Sequence, residues 1–217
     1  MRTPSRARRA TACAAAIALG IAPFAAGTAG PVFAAGASAS AIRTSGAPDL
    51  LEPSELPQER YGTWQAGPVS PGLPEVEPFC VEGVLPARGA LHREFQSEYD
   101  ASATQVVVSL RDEDSAWLIA KEAAQAVERC AQRWREQYPE GRARWLYYGE
   151  LDVADGARVY GVFTTLPDSE PTISLYAVGR DRDTVTVVEL GQMGEPAEAP
   201  VRAFKRTARI AVDKLLS

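Results

Sequence analysis

The chain has very little of the residues on which most catalytic and metal sites depend. Its 217 residues include one histidine, His92, and three cysteines. A Ser-His-Asp or Cys-His enzyme would have to use that histidine, and its outward phase on a predicted strand indicates an ordinary histidine at the surface or at the edge of a pocket. One histidine and a cysteine pair that is expected to form a disulfide also leave no tetrahedral zinc set. The sequence therefore predicts no catalytic constellation, no metal and no cofactor.

Long apolar runs are lacking except near the first residue. Four arginines precede an alanine-rich apolar stretch at 10–26, and small residues follow, which is the layout of a signal peptide. Proline and glycine interrupt the run, whereas a membrane anchor needs about 20 firmly apolar residues. We predict a signal peptide over 1–34, with cleavage after Ala34 or later at Ala39, and hence a secreted, extracellular protein. The pair Arg8-Arg9 leaves twin-arginine export open beside the general secretory route.

Positive charge is scarce beyond this leader. Four of the 23 basic residues and none of the 28 acidic ones precede residue 35, so 19 remain against 28, a net charge of −9. That balance argues against nucleic acid or an anionic membrane surface as partner. A small molecule, a component of the cell envelope or a protein partner remains.

Only two cysteines lie outside the leader, because Cys13 is removed with it. Cys80 and Cys130 are then expected to pair in an oxidising compartment. A loop of this length stabilises a fold by roughly 4 kcal/mol in the chain-entropy model. We expect the bridge to clamp a proline-rich arm to a helix.

The chain divides into three predicted parts: the signal peptide, a flexible linker at 35–49 and a domain at 50–217. Seven prolines between 48 and 78 prevent a long helix. The leucines and aromatic residues among them are too apolar for a spacer, so an irregular arm across the folded body is expected.

Regular patterns begin at Leu91. A hairpin is predicted from 91–95 and 105–110. An amphipathic helix follows, whose apolar stripe comprises Trp117, Ala120, Ala124, Val127, Ala131, Trp134 and Tyr138. Four more strands are predicted at 145–153, 159–166, 173–178 and 184–190, and then a helix that buries Val201, Phe204, Ala208, Ala211 and Leu215. The order ββαββββα predicts an α+β fold, with an antiparallel sheet of about five or six strands and two main helices packed on it.

A resemblance rests on Ala116-Trp117 and Cys130 in the first helix, and on Val178-Gly179-Arg180 before the last strand. With the closing amphipathic helix, residues 50–216 resemble the actinobacterial extracellular sensor domain family, the PknH-like extracellular domain. The resemblance implies an α+β domain with a cleft for a small extracellular ligand, and no family-wide ligand is established. This chain departs from the kinase-linked domain, since it has no kinase or membrane segment and one cysteine pair instead of two.

The candidate ligand-binding residues are Trp145, Tyr147, Tyr148 and His92. Neighbours on a strand point to opposite faces, so Tyr147 and Tyr148 cannot both enter one core, and one of them is expected to be exposed or to line a cleft. Packing at the edge of the core is the alternative.

The acids carry no distinct signal. Glu94, Glu150, Asp152 and Glu189 lie on or beside predicted strands, where solvated sheet faces explain them, and no acid is expected in an apolar setting that raises its pKa. The favoured function is a secreted, non-enzymatic, sensor-like domain that binds a small extracellular or cell-envelope ligand. Two alternatives stay open. One is a small hydrolase with two carboxylates about 5 to 9 Å apart, and the other is a protein-binding or inhibitor module.

Overall fold

The computed structural model describes residues 48–58, 62–99 and 101–216. The predicted signal peptide and nearly all of the predicted linker lie outside the described residues. No helix in the described part of the chain is long and apolar enough to span a bilayer.

The order of the main elements is the predicted one, with two short strands added before it. The strands are β1 Gln65–Ala66, β2 Ser70–Pro71, β3 Ala90–Gln96, β4 Ser102–Ser109, β5 Arg142–Leu151, β6 Ala157–Thr165, β7 Thr172–Asp181 and β8 Thr184–Met193. The helices are α1 Glu113–Gln137 and α2 Val201–Asp213, and short 3-10 turns lie at Pro53–Glu55, Phe79–Val81, Pro196–Glu198 and Lys214–Leu216. Both added strands lie in the proline-rich arm.

All eight strands form one antiparallel sheet in the order β1-β3-β4-β8-β7-β6-β5, and β2 also pairs with β3. Helix α1 packs on one face and α2 on the other, so each face has its own apolar core. Strands covered on both faces tend to be continuously apolar, as in Val106-Val107-Val108, which are fully buried. The predicted α+β class is confirmed.

Helix α1 begins where a capping residue allows it. The Asp112 side chain accepts a hydrogen bond from the Ser115 backbone N–H at 2.8 Å, which satisfies one of the amides that a first turn leaves free. This bond and that from Arg111 lower the pKa of Asp112 to about 2. The predicted buried stripe is confirmed from Ala124 to Trp134 but is wrong at Trp117, which is 53% exposed.

The proline-rich arm lies across the body, as predicted. Leu50 and Leu51 are buried on the α2 side of the sheet, and Cys80 is buried on the α1 side, so the arm passes from one face to the other. The buried Gln105 holds its first part, because the amide oxygen accepts from the Leu51 N–H at 2.6 Å and the amide nitrogen donates to Thr186 Oγ1 at 3.1 Å.

The predicted disulfide joins Cys80 of the second 3-10 turn to Cys130 of α1. Arg133, one turn along α1, donates to the Cys80 carbonyl at 2.6 Å. The arm is therefore attached to the helix by a covalent bond and by a charge-assisted hydrogen bond.

Candidate functional site

Three of the predicted binding residues lie on β5, the last strand of the sheet. Trp145 and Tyr147 project on the α1 side and are 40% and 49% exposed. Their ring centroids lie 6.3 and 5.3 Å from that of Tyr160 on the neighbouring strand. Tyr148 packs against the core on the α2 side. The expected separation of the two tyrosines is therefore present, and a register shift between Tyr147 and Gly149 accompanies it.

His92, the fourth predicted residue, lies on β3 and is half-buried. Its Nδ1 is 2.9 Å from the Gly72 carbonyl oxygen. Because a carbonyl only accepts, Nδ1 carries the proton and donates this bond. His92 thus fastens the turn after β2 to the sheet and is separated from β5 by four intervening strands.

A cleft of about 430 Å³ lies between the first half of α1 and the ends of β5, β6 and β7. Trp117, Ala120, Lys121, Ala124, Gln125 and Glu128 form its helix wall, and Glu150, the segment 155–158 and the segment 178–180 form its sheet wall. The volume falls in the range of small-molecule sites. None of the four predicted binding residues is part of this lining.

Glycine shapes the sheet wall. Gly156 follows β5 with a φ of +97°, a conformation that side-chain-bearing residues rarely adopt. Its carbonyl accepts from the Arg180 N–H at 3.1 Å, which joins the turn to β7. Gly179 packs so closely on α2 that an added Cβ would overlap Val212.

The cleft has side chains of both charges. Arg180 pairs with Asp155 at 3.0 Å, and Asp155 also accepts from the Arg182 N–H at 2.7 Å. Lys121 Nζ lies 4.8 Å from the ring centroid of Trp117, within the range of a cation–π contact. These contacts hold a charged and aromatic rim in place at the open side of the cleft.

Glu128 links the cleft to the aromatic residues of β5. The Tyr160 hydroxyl donates to Glu128 Oε1 at 3.2 Å. Burial, together with the charge of Glu128, raises the pKa of Tyr160. Tyr147, whose ring is tilted by 42° against that of Tyr160, therefore lies next to the cleft without lining it.

A partly buried acid on the α1 side of the sheet corrects one expectation. The register places Glu94, Thr104, Glu189, Tyr176, Tyr160 and Tyr147 in one row across the α1 side of the sheet. The Tyr176 hydroxyl donates to Glu189 Oε1, and the Cys80 N–H donates to the same hydroxyl at 3.4 Å. Although part of the surface of Glu189 is exposed, burial raises its pKa to about 7.

The prediction that no acid lies in an apolar setting is therefore wrong at Glu189. Glu94, Glu150 and Asp152 are exposed, as predicted. Within residues 48–58, 62–99 and 101–216, no group of three or more histidine, cysteine or acidic side chains is arranged to hold a metal.

Sequence reasoning did not select the residues of the cleft. Trp117 was assigned to the buried stripe, and Lys121 and Arg158 were not singled out. The available signal was a tryptophan followed four residues later by a lysine, a spacing that places both side chains on one helix face.

Comparison with known proteins gives little beyond the fold. No family model matches the sequence, and no curated protein matches it. The structure is similar to the crystal structure of the extracellular domain of PknH from Mycobacterium tuberculosis, with a TM-score of 0.45 and 16% sequence identity, over 76% of this chain and 92% of that chain. This is a weak likeness at the level of the fold.

Proposed function

We propose that the chain is a secreted, non-enzymatic, sensor-like domain that binds a small extracellular or cell-envelope ligand in the cleft between α1 and β5–β7. The observation that carries the proposal is an exposed Trp117 at the rim of a cleft of about 430 Å³. An exposed indole leaves apolar surface in contact with water, which is unfavourable. A bound ligand would cover that surface.

The lining favours a polar ligand with charge of both signs. Lys121 and Arg158 can receive carboxylate or phosphate groups, while Glu150 can receive amino or hydroxyl groups. The face of Trp117 suits an apolar or sugar-like ring. A charged sugar derivative or a short peptide fragment of the cell envelope combines these groups.

Binding accounts for the cleft better than catalysis does. Asp155 is already paired with Arg180 and the Arg182 N–H, and Glu128 accepts from Tyr160. Glu189, whose pKa is raised to about 7, resembles a general acid in this respect, but it is not among the residues that line the cleft. A hydrolase with two free, convergent carboxylates therefore gains no support from these contacts.

The test is native mass spectrometry of the mature protein purified from the culture medium of its producing organism. We expect a small-molecule adduct on the disulfide-intact protein. Trp117→Ala should lose the adduct, whereas Trp145→Ala, which removes an exposed tryptophan outside the cleft, should keep it. Binding of the recovered compound should weaken about tenfold or more in Trp117→Ala, since tenfold corresponds to about 1.4 kcal/mol.

Two results would overturn the proposal. One is an adduct that persists in Trp117→Ala, because the ligand would then lie elsewhere. The other is a clean apo mass with no stabilisation by fractionated cell-envelope fragments in thermal unfolding. Turnover of any such fragment by the wild-type protein would favour the hydrolase.

A further inference from the structure

We propose that the free edge of β5 and the neighbouring basic side of α2 bind an extended acidic segment of a partner protein, which adds a strand to the sheet. This surface is distinct from the cleft, and we call it the β5–α2 surface. It comprises Arg142, Arg144, Trp145, Leu146 and Tyr147 of β5 and Arg202, Lys205, Arg206 and Arg209 of α2.

Strand β5 is an open edge. It has ten residues and pairs with β6 on one side only, and nothing in the described part of the chain pairs with its other side. The four residues 144–147 are exposed in an unbroken run. At the opposite edge, β3 pairs with β1 and β2 of the arm. A long exposed edge offers unpaired backbone groups to an incoming strand.

The two faces of this edge differ in chemistry. On the α1 side Trp145 and Tyr147 are exposed and are held beside the ring of Tyr160. On the α2 side Arg144 lies with its guanidinium 5.4 Å from the ring centroid of Phe163, and Arg142 shares that face because side chains alternate along a strand. One face is aromatic and the other is basic.

Helix α2 adds one cation beside this face and has three more on its exposed side. Arg202, Lys205, Arg206 and Arg209 follow a spacing of three, one and three residues, which places them along one side of the helix. Lys205 Nζ donates to the Tyr148 carbonyl at 2.6 Å, so Lys205 reaches β5. Arg202, Arg206 and Arg209 lie on the exposed side of α2, opposite its buried residues.

The β5–α2 surface concentrates positive charge. None of its six cations forms an ion pair with a residue that the structure describes. They are six of the 19 basic residues that follow the leader in a chain with a net charge of −9. A local basic strip on an acidic protein selects an acidic occupant by charge complementarity.

The geometry also predicts the sequence pattern of the segment that binds beside β5. Side chains of an added strand alternate between the faces, so acidic residues should face α2 and apolar residues should face Trp145 and Tyr147. The Ala143 carbonyl already accepts a hydrogen bond from Arg135 at 2.6 Å, and the Tyr148 carbonyl accepts one from Lys205. Backbone pairing is therefore expected over 144–147.

A second copy of the chain fits this edge poorly. Antiparallel pairing of two β5 strands about a twofold axis would place both α2 sides on the same face of the joined sheet. Two basic strips would then lie across from each other, and like charges directly opposite are destabilising.

The probe is a displayed library of random peptides of about ten residues, the upper length of a common strand, selected on the mature, disulfide-intact protein. We expect enrichment of sequences that alternate acidic with apolar residues. The best peptide, made synthetically, should slow hydrogen exchange of those amides within 144–147 that point away from β6, since alternate residues of an antiparallel strand bond to one neighbour. Its affinity should fall about tenfold or more in the double variant Arg142→Glu, Arg144→Glu.

A matched control reverses two exposed charges elsewhere, in the double variant Arg111→Glu, Arg129→Glu, and should leave the affinity within about threefold. The proposal is overturned if no alternating pattern is enriched, if both double variants lose affinity equally, or if those amides within 144–147 are not protected. It is also overturned if anionic lipid vesicles or duplex DNA bind the protein as tightly as the selected peptide, because the strip would then be a general polyanion site.

Discussion

Replacing Glu189 by glutamine should change how the stability of the protein depends on pH. The Glu189 carboxyl lies on the α1 side of the sheet, where Tyr176 donates to it and the arm carrying Cys80 covers Tyr176. Burial raises its pKa from the ordinary value of 4.5 to about 7. The folded state therefore holds this proton more tightly than the unfolded state does.

The sign and size of the effect follow from proton linkage. Between pH 4.5 and about 7 the folded state binds more protons at Glu189, so the free energy of unfolding falls as the pH rises. The stabilisation is fully present below the unfolded pKa and is lost above the folded pKa. A shift of this size corresponds to about 3 kcal/mol. Glutamine does not ionise and keeps an oxygen that can accept from Tyr176.

The assay is urea unfolding of wild-type and Glu189→Gln protein, with the disulfide intact, in steps from about pH 5 to about pH 8. Near pH 5 the two proteins should have similar stability, and by pH 8 the variant should be more stable by about 2 to 3 kcal/mol. Glu94→Gln is the matched control, because Glu94 lies in the same cross-strand row but is exposed. The reasoning is refuted if the difference between Glu189→Gln and wild type stays constant with pH, or if Glu94→Gln shows the same trend.

Three further changes test the packing. Loss of the disulfide in the double variant Cys80→Ala, Cys130→Ala should lower the free energy of unfolding by about 4 kcal/mol, and a loss below about 1 kcal/mol in urea unfolding would contradict the loop argument. Gly179→Ala should cost about 1 to 3 kcal/mol, because its Cβ would overlap α2; Gly67→Ala, whose nearest contact would be 3.4 Å, is the control and should cost clearly less in the same assay. Gln105→Ala should cost about 1 to 3 kcal/mol and speed amide exchange in the first part of the arm, since a buried N–H loses its acceptor; unchanged exchange there would show that the arm is held by other contacts.

Local patterns were sufficient for the order of the elements. The alternation after Leu91, the helical stripe that ends before Pro139 and the valine-rich run at 184–190 each belong to one segment and need no partner to be recognised. The two short strands in the arm were missed because each has only two residues and one contains a proline. Their pairing with β3 depends on how the arm crosses the sheet edge.

The cleft could not be predicted from such patterns. Helical periodicity shows which side of α1 is apolar, but it does not show how far the opposing sheet extends beneath the helix. The sheet wall of the cleft consists of the Gly156 turn and the ends of β5, β6 and β7, and Trp117 on the helix wall is left exposed. The spacing is the same as in the buried part of the stripe, so only the lysine four residues after Trp117 distinguishes this end of the helix.

The environment of Glu189 could not be predicted from its local sequence either. The strand around it alternates as if one face met solvent, yet the element that closes this face is the arm, and Cys80 is 96 residues away from Tyr176 in the chain. The disulfide fixes that arm, and the arm buries the tyrosine that contacts the acid. Burial raises the pKa of Glu189, whereas the hydrogen bond from Tyr176 lowers it. The shift therefore depends on how the folded sheet excludes water from the carboxyl, which the residues next to Glu189 in the sequence do not show.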